Sequence, residues 1–148
     1  MKSNTKHNTR NAHWIIGTLC ALSIPNLYAP ITIIESTSQL EKELNSKPYA
    51  VLEFYGSWCH VCQSIQKPFE AVANDTELQG KVLFAQIDID KHTDLKTKYG
   101  VLGVPTFIYF KKGKKKQQDM GVHNMATFKD ELRTTIKNQF KLTQSATK

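Results

Sequence analysis

Two cysteines set two residues apart, in Trp58-Cys59-His60-Val61-Cys62, follow closely on an apolar run, Ala50-Val51-Leu52-Glu53-Phe54-Tyr55. A thiol pair where a strand gives way to a helix is a recurring piece of redox chemistry. If Cys59 opens the helix, its sulfur faces the unpaired N–H groups of the first turn. Those groups and the helix dipole favour a thiolate and lower the thiol pKa. Cys62, three residues on, lies on the same helical face and can close a disulfide with Cys59. One thiolate to attack and a second thiol to resolve the mixed disulfide are the minimum for thiol–disulfide exchange.

The rest of the composition narrows the setting. At 148 residues the chain suits one domain with its own core. Its net charge of +7 is unevenly placed. Lys2, Lys6 and Arg10 belong to the leader, and Lys111, Lys112, Lys114, Lys115 and Lys116 form one cluster. Without both groups the remainder is near −1, which excludes a general nucleic-acid footprint. Three cysteines are too few for a disulfide scaffold, and Cys20 lies in the leader, so a single redox pair is left to the domain.

Residues 1–29 read as an export signal or an N-terminal membrane anchor. Met1–Asn11 is basic and free of acids, an apolar stretch runs from Trp14 to Ile24, and Leu27-Tyr28-Ala29 ends on a small residue. Cleavage after Ala29 would leave Pro30 at the scissile bond, an awkward residue for a peptidase. Ala12 to Ile34 contains no Lys, Arg, Asp or Glu and is long enough to span a bilayer, although Pro25, Asn26 and Pro30 interrupt it. Both readings place the folded domain outside the cytoplasm, in the periplasm or an equivalent compartment, because the positive charges lie on the short N-terminal side.

The domain is expected over 30–140, with a disordered polar tail at 141–148. Ile31–Ile34 reads as a strand. Ser36 or Thr37 can cap a helix to about Asn45, and Pro48 stops it. Ala50–Tyr55 is nearly all apolar, as a strand covered on both faces must be. The next helix runs from Cys59 to about Asn74, with Val61, Ile65, Phe69 and Val72 along one side and Pro68 expected to kink it. Val82–Ile89 is a strand, Thr93–Tyr99 a short helix stopped by Gly100, and Phe107–Phe110 a strand. Lys112-Gly113 turns into the strand Lys115–Met120, and Asn124 can cap a last helix to Phe140.

The order β-α-β-α-β-α-β-β-α, with Trp-Cys-x-x-Cys after the second strand and Val104-Pro105-Thr106 before the fourth, resembles the thioredoxin fold. That resemblance implies an α/β protein with a central mixed sheet of four to five strands flanked by helices. Within the superfamily, Leu52-Glu53-Phe54-Tyr55-Gly56-Ser57-Trp58-Cys59-His60-Val61-Cys62 and Tyr99-Gly100-Val101-Leu102-Gly103-Val104-Pro105-Thr106 look most like the C-terminal periplasmic domain of DsbD-type disulfide reductases.

Candidate roles follow. Cys59 is the expected nucleophile and Cys62, a turn deeper, the resolving thiol. Gln63 stands where haem attachment needs His, and no second Cys pair exists to close a zinc site. Glu53 is anomalous in an apolar strand, because a buried carboxylate is costly unless used or paired. The resemblance places it beneath the second cysteine as a proton acceptor, with Gln86 where many thioredoxins carry a lysine. Burial would raise its pKa toward the working pH. Trp58 is expected at the rim of the thiols, and Tyr55 in the core. His60 and Val61 stand where the common motif carries Gly-Pro; a protonated His60 would stabilise the Cys59 thiolate and favour an oxidant. The resemblance implies instead a reductant or electron carrier. Pro105 matches the family's cis-proline, which makes Val104 the expected docking residue for a substrate chain.

The expected activity is exchange of disulfides with protein substrates through transient mixed disulfides, by a monomer fed by a membrane or soluble thiol reductant. Such chemistry needs no cofactor and no metal. The same thiols with His60 could instead carry a soft ion such as Cu(I), or the fold could serve as an inert docking module. The Lys111–Lys116 cluster suits a solvated, aggregation-resistant edge, or contact with anionic lipid if the leader is an anchor.

Overall fold

The computed structural model describes residues 31–142; the expected leader, Cys20 and residues 143–148 lie outside them. Strand β1 (Thr32–Ile33) is followed by α1 (Thr37–Ser46), β2 (Tyr49–Tyr55), α2 (His60–Ala73) and β3 (Val82–Asp88). Then come α3 (Thr93–Tyr99), β4 (Thr106–Lys111), β5 (Lys114–Met120) and α4 (Phe128–Phe140). The five strands lie in the order β1-β3-β2-β4-β5. β1, β3 and β2 are parallel, β4 is antiparallel to β2, and β5 to β4.

Each boundary has a local cause. Ser36 caps α1, its hydroxyl accepting the Gln39 N–H at 3.1 Å. Gly100 ends α3 in the left-handed conformation, φ 66°, which costs a glycine little. Lys112 and Gly113 both have positive φ, the geometry of a two-residue hairpin turn between twisted strands. α2 continues through Pro68, which lies in its interior as the sequence predicts. Asn124 does not cap α4. Its Oδ1 instead accepts the Ala126 N–H at 2.9 Å, a local turn that delays the helix to Phe128.

β2 sits in the middle of the sheet, and alternation along it divides the core. Ala50, Leu52 and Phe54 pack with Leu40, Ile87, Leu95 and Ile108 on one face. Val51 joins Ile65, Phe69, Phe84, Leu132 and Ile136 on the other, beneath α2 and α4. The second cluster also takes in Leu142, two residues past the expected end of the domain. Arg133 bridges Asp75 and Glu77, and Lys137 pairs with Glu77, which ties the loop after α2 to α4. Among the described residues no helix is long and apolar enough to cross a membrane.

Candidate active site

Cys59 and Cys62 form a disulfide with Cα atoms 5.2 Å apart. Cys59 is the N-cap of α2, and its Sγ accepts the backbone N–H of Cys62 at 3.1 Å. A sulfur is therefore placed where a capping oxygen usually sits, against the positive end of the helix dipole. The backbone N–H of Cys59 donates to the Gly56 carbonyl at 3.0 Å, which fixes the turn out of β2. In this oxidised form the two residues are almost equally covered, at 7% and 5% exposed. The expected contrast between an open Cys59 and a deeper Cys62 is thus slight.

Glu53 is fully buried in β2, on the sheet face that α2 covers. It stands in register with Gln86 of β3, whose Nε2 donates to Glu53 Oε2 at 2.8 Å. Glu53 Oε1 has no hydrogen-bond partner among the described residues. Burial pushes the carboxyl pKa up to about 7, against the opposing effect of the Gln86 hydrogen bond. A cavity of about 280 Å³ is lined by Glu53, Cys62, Gln86, Tyr55, Gln63 and Ile33, so the acid and the second thiol share one space. That volume has room for water, and the unpartnered oxygen could accept a hydrogen bond from it.

The surroundings of the pair come from two loops. Trp58 is 60% exposed, and its indole N–H donates to Asp90 Oδ2 at 2.8 Å. Gly56 lies beneath that ring: a Cβ there would stand 2.8 Å from the indole, so the close approach requires glycine. His60 and Val61 are both exposed in the first turn of α2. Tyr55, expected in the core, is half-buried and lines the Glu53 cavity. On the other side of β2, Phe54 pairs with Thr106, which brings the start of β4 to the end of the sheet where the cysteines lie. The Val104–Pro105 bond is cis, and the Pro105 carbonyl accepts the Gly121 N–H at 2.7 Å. Val104 is half-buried and rests on the core.

Three neighbours escaped the sequence reading. Leu102, 89% exposed in the loop before Pro105, carries an apolar side chain that the core does not use. Met120 is 59% exposed, with its sulfur 3.1 Å from where a Cβ on Gly103 would lie. Asp90 anchors Trp58 from the end of β3, a pairing across 32 residues with no local pattern. Leu102 alone had a signal, an aliphatic residue within Gly100-Val101-Leu102-Gly103, where turn chemistry favours polar residues.

A family model described as thioredoxin matches residues 31–138. The chain belongs to the thioredoxin family. With its Cys59–Cys62 pair at disulfide distance, this thioredoxin-family chain is a thiol–disulfide oxidoreductase. It is 33% identical over 81 residues to a thioredoxin-like protein from Fusarium culmorum, covering 55% of this chain and 67% of that one. It is 32% identical over 93 residues to a probable protein disulfide-isomerase A6 from Medicago sativa, covering 63% of this chain but only 26% of that relative. The chain thus spans about a quarter of the isomerase's length. Among solved structures it superposes on a mutant thioredoxin from Halobacterium salinarum with TM-score 0.66 at 26% identity, over 76% of this chain and 93% of that one. A thioredoxin from Trypanosoma brucei brucei gives TM-score 0.62 at 29% identity, over 74% and 94% of the two chains.

Proposed function

We propose that this chain is an exported reductant of protein disulfides, working as the terminal domain of a DsbD-type reductase does. The observation that carries the reading is the shared cavity: a buried carboxyl with one unpartnered oxygen opens onto the same space as Cys62. Reduced, the Cys59 thiolate attacks one sulfur of a partner's disulfide. A Cys59–partner bond forms, the partner's S–S bond breaks, and the departing thiolate takes a proton from solvent. Glu53 accepts the Cys62 proton through water, and the Cys62 thiolate attacks Cys59 Sγ. The partner leaves with two electrons and the Cys59–Cys62 disulfide is restored. An upstream dithiol must then reduce it.

Export is supported by the basic, acid-free start and the uncharged stretch from Ala12 to Ile34. Trp58, Val61, Val104 and Pro105 are assigned to partner docking, since their loops meet at the cysteine end of the sheet. His60, exposed at the helix start, is assigned the tuning of Cys59. Among the described residues no group of three or more His, Cys, Asp or Glu side chains gathers to hold a metal.

Cys62→Ala, expressed with the full leader, tests the proposal. It is expected to accumulate mixed disulfides with extracytoplasmic proteins, and Cys59→Ser to form none. The reduction potential should fall nearer the thioredoxin value of about −270 mV than the oxidant value of about −120 mV. Adducts found only with cytoplasmic proteins would overturn export, and a potential near the oxidant value would overturn the reductant role.

A further inference from the structure

After residue 29 the net positive charge of this protein is concentrated at one pole. Lys111, Lys112, Lys114, Lys115 and Lys116 crowd the β4–β5 hairpin, while the rest of the chain after residue 29 is near −1. The hairpin is tied to the start of β2, with the Lys112 N–H donating to the Pro48 carbonyl at 2.8 Å and Lys111 in register with Tyr49. The cysteines follow the other end of β2, seven residues away along the strand, or about 20 Å. Basic pole and disulfide therefore lie at opposite ends of the sheet.

The lysines are not consumed by the fold. Among the described residues no carboxylate ion-pairs with any of the five. Lys111 lies over the Tyr49 ring, and Lys115 reaches the Tyr99 carbonyl and Gln118. Lys112, Lys114 and Lys116 are exposed. Lys47, whose ammonium donates to the Gly80 carbonyl, and exposed Lys81 add to the same end. Nearby Glu77 is engaged by Arg133 and Lys137, while Glu43, which accepts from Ser46, leaves one negative charge against the lysines. A few lysines on an edge strand suffice to block aggregation. Five on one tight turn, with opposite charges nearly balanced elsewhere, set up a local positive field.

We propose that this hairpin pole docks on an anionic phospholipid surface, holding the disulfide outward. The polypeptide itself supplies the argument for lipid. β1 is parallel to β2 and β3 and begins level with Ala85, so the chain comes into the sheet from the end that carries the hairpin, along the opposite edge. Thirty residues precede Ile31, and those from Ala12 to Pro30 carry no Lys, Arg, Asp or Glu. A bilayer bound by residues 12–30 would face the end of the sheet that carries the lysines. The pole also lacks what a single-stranded nucleic acid uses. The exposed large apolar side chains include one aromatic, Trp58, at the opposite end, while Tyr49 stacks on Phe140. Lysine is a compact, strongly hydrated point charge, which suits attraction to a charged plane better than bidentate recognition.

The test is co-sedimentation of the full chain with vesicles of phosphatidylcholine alone or mixed with phosphatidylglycerol. Lys112→Glu/Lys114→Glu/Lys116→Glu serves as the variant, since none of these three ammonium groups supports the fold. Residues 1–30 are common to both proteins, so the difference between them reports the hairpin. The anionic vesicles are expected to bind wild type at least about a hundredfold tighter than the variant, at roughly fivefold for each lysine near the surface. The difference should vanish on neutral vesicles and shrink in about 0.5 M salt. Equal binding of wild type and variant to anionic vesicles would overturn the proposal, as would tighter binding to a single-stranded oligonucleotide than to the vesicles. Unchanged reduction of the variant's disulfide by a small dithiol shows that the variant is folded.

Discussion

Gln86 gives Glu53 one hydrogen bond, Nε2 to Oε2 at 2.8 Å, and leaves the other carboxyl oxygen facing a cavity that Cys62 also lines. Burial outweighs that hydrogen bond and raises the Glu53 pKa from 4.5 to about 7. A carboxyl whose folded pKa exceeds its unfolded value binds protons more tightly when folded. Its contribution to stability is therefore most favourable below about pH 4.5 and is lost as the pH rises toward 7. Glu53→Gln removes the ionisation. The variant should be more stable than wild type at pH 8, by as much as about 3 kcal/mol, with little difference at pH 4. Thermal unfolding at the two pH values checks this. The same variant should slow release of a mixed disulfide at pH 7, where wild-type Glu53 can accept the Cys62 proton. A stability gain independent of pH would contradict the assigned ionisation.

Gln86→Leu tests the partner rather than the acid. Leucine keeps most of the volume but donates nothing, so the Glu53 pKa should rise further. A hydrogen bond to a charged group is worth about 1.5–3 kcal/mol and one to a neutral carboxyl about 0.5–1.5 kcal/mol, so the loss is larger where Glu53 is ionised. The variant should be slightly less stable than wild type at pH 4 and more clearly so at pH 8. The rate of mixed-disulfide resolution should show its pH dependence displaced to the alkaline side. An unmoved profile would mean that Gln86 contributes packing alone.

Local patterns made most of the fold legible. Ser36, Gly100 and the Lys112-Gly113 turn each act within a few residues, and each boundary fell where capping or turn chemistry placed it. Glu53 and Cys59 were legible for the same reason: a carboxylate in an apolar strand and a thiol at a helix start are anomalies visible in one dimension. Asn124 misled because an Asx turn and an N-cap use the same side chain, and only the following backbone decides between them. Asp90 as acceptor of the Trp58 indole N–H could not be read, since it depends on two loops meeting in space. The near-equal cover of the two cysteines likewise depends on packing that the motif does not encode.

Asp90→Ala isolates the anchor of Trp58. The indole N–H loses its acceptor, and because the ring is 60% exposed, water replaces most of that hydrogen bond. Stability should change by no more than about 1 kcal/mol. The ring should move more freely, seen as faster depolarisation of Trp58 fluorescence in a Trp14→Phe background. Reduction of the disulfide by a small dithiol should stay at the wild-type rate, while exchange with a protein disulfide slows, because a mobile rim must be ordered again on docking. Equal slowing toward both reagents would instead point to a change at Cys59 itself.

Leu102 supplies the sharpest separation between docking and chemistry. It is almost wholly exposed, so Leu102→Asp removes no core contact and should alter stability by no more than about 0.5 kcal/mol. Its loop runs directly into cis Val104–Pro105, and Phe54–Thr106 pairing holds that loop at the cysteine end of the sheet. A partner chain lying along Val104 would cover Leu102 and bury part of its side chain; burial of one or two methylene equivalents at about 0.8 kcal/mol each corresponds to roughly fourfold to fifteenfold in association. Leu102→Asp should therefore slow exchange with a protein disulfide by about that factor and leave a small-molecule disulfide unaffected. Insulin reduction set against reduction of a small aromatic disulfide measures the ratio. A ratio unchanged from wild type would show that partners reach Cys59 without crossing this loop, and would move the docking face to the Trp58 side.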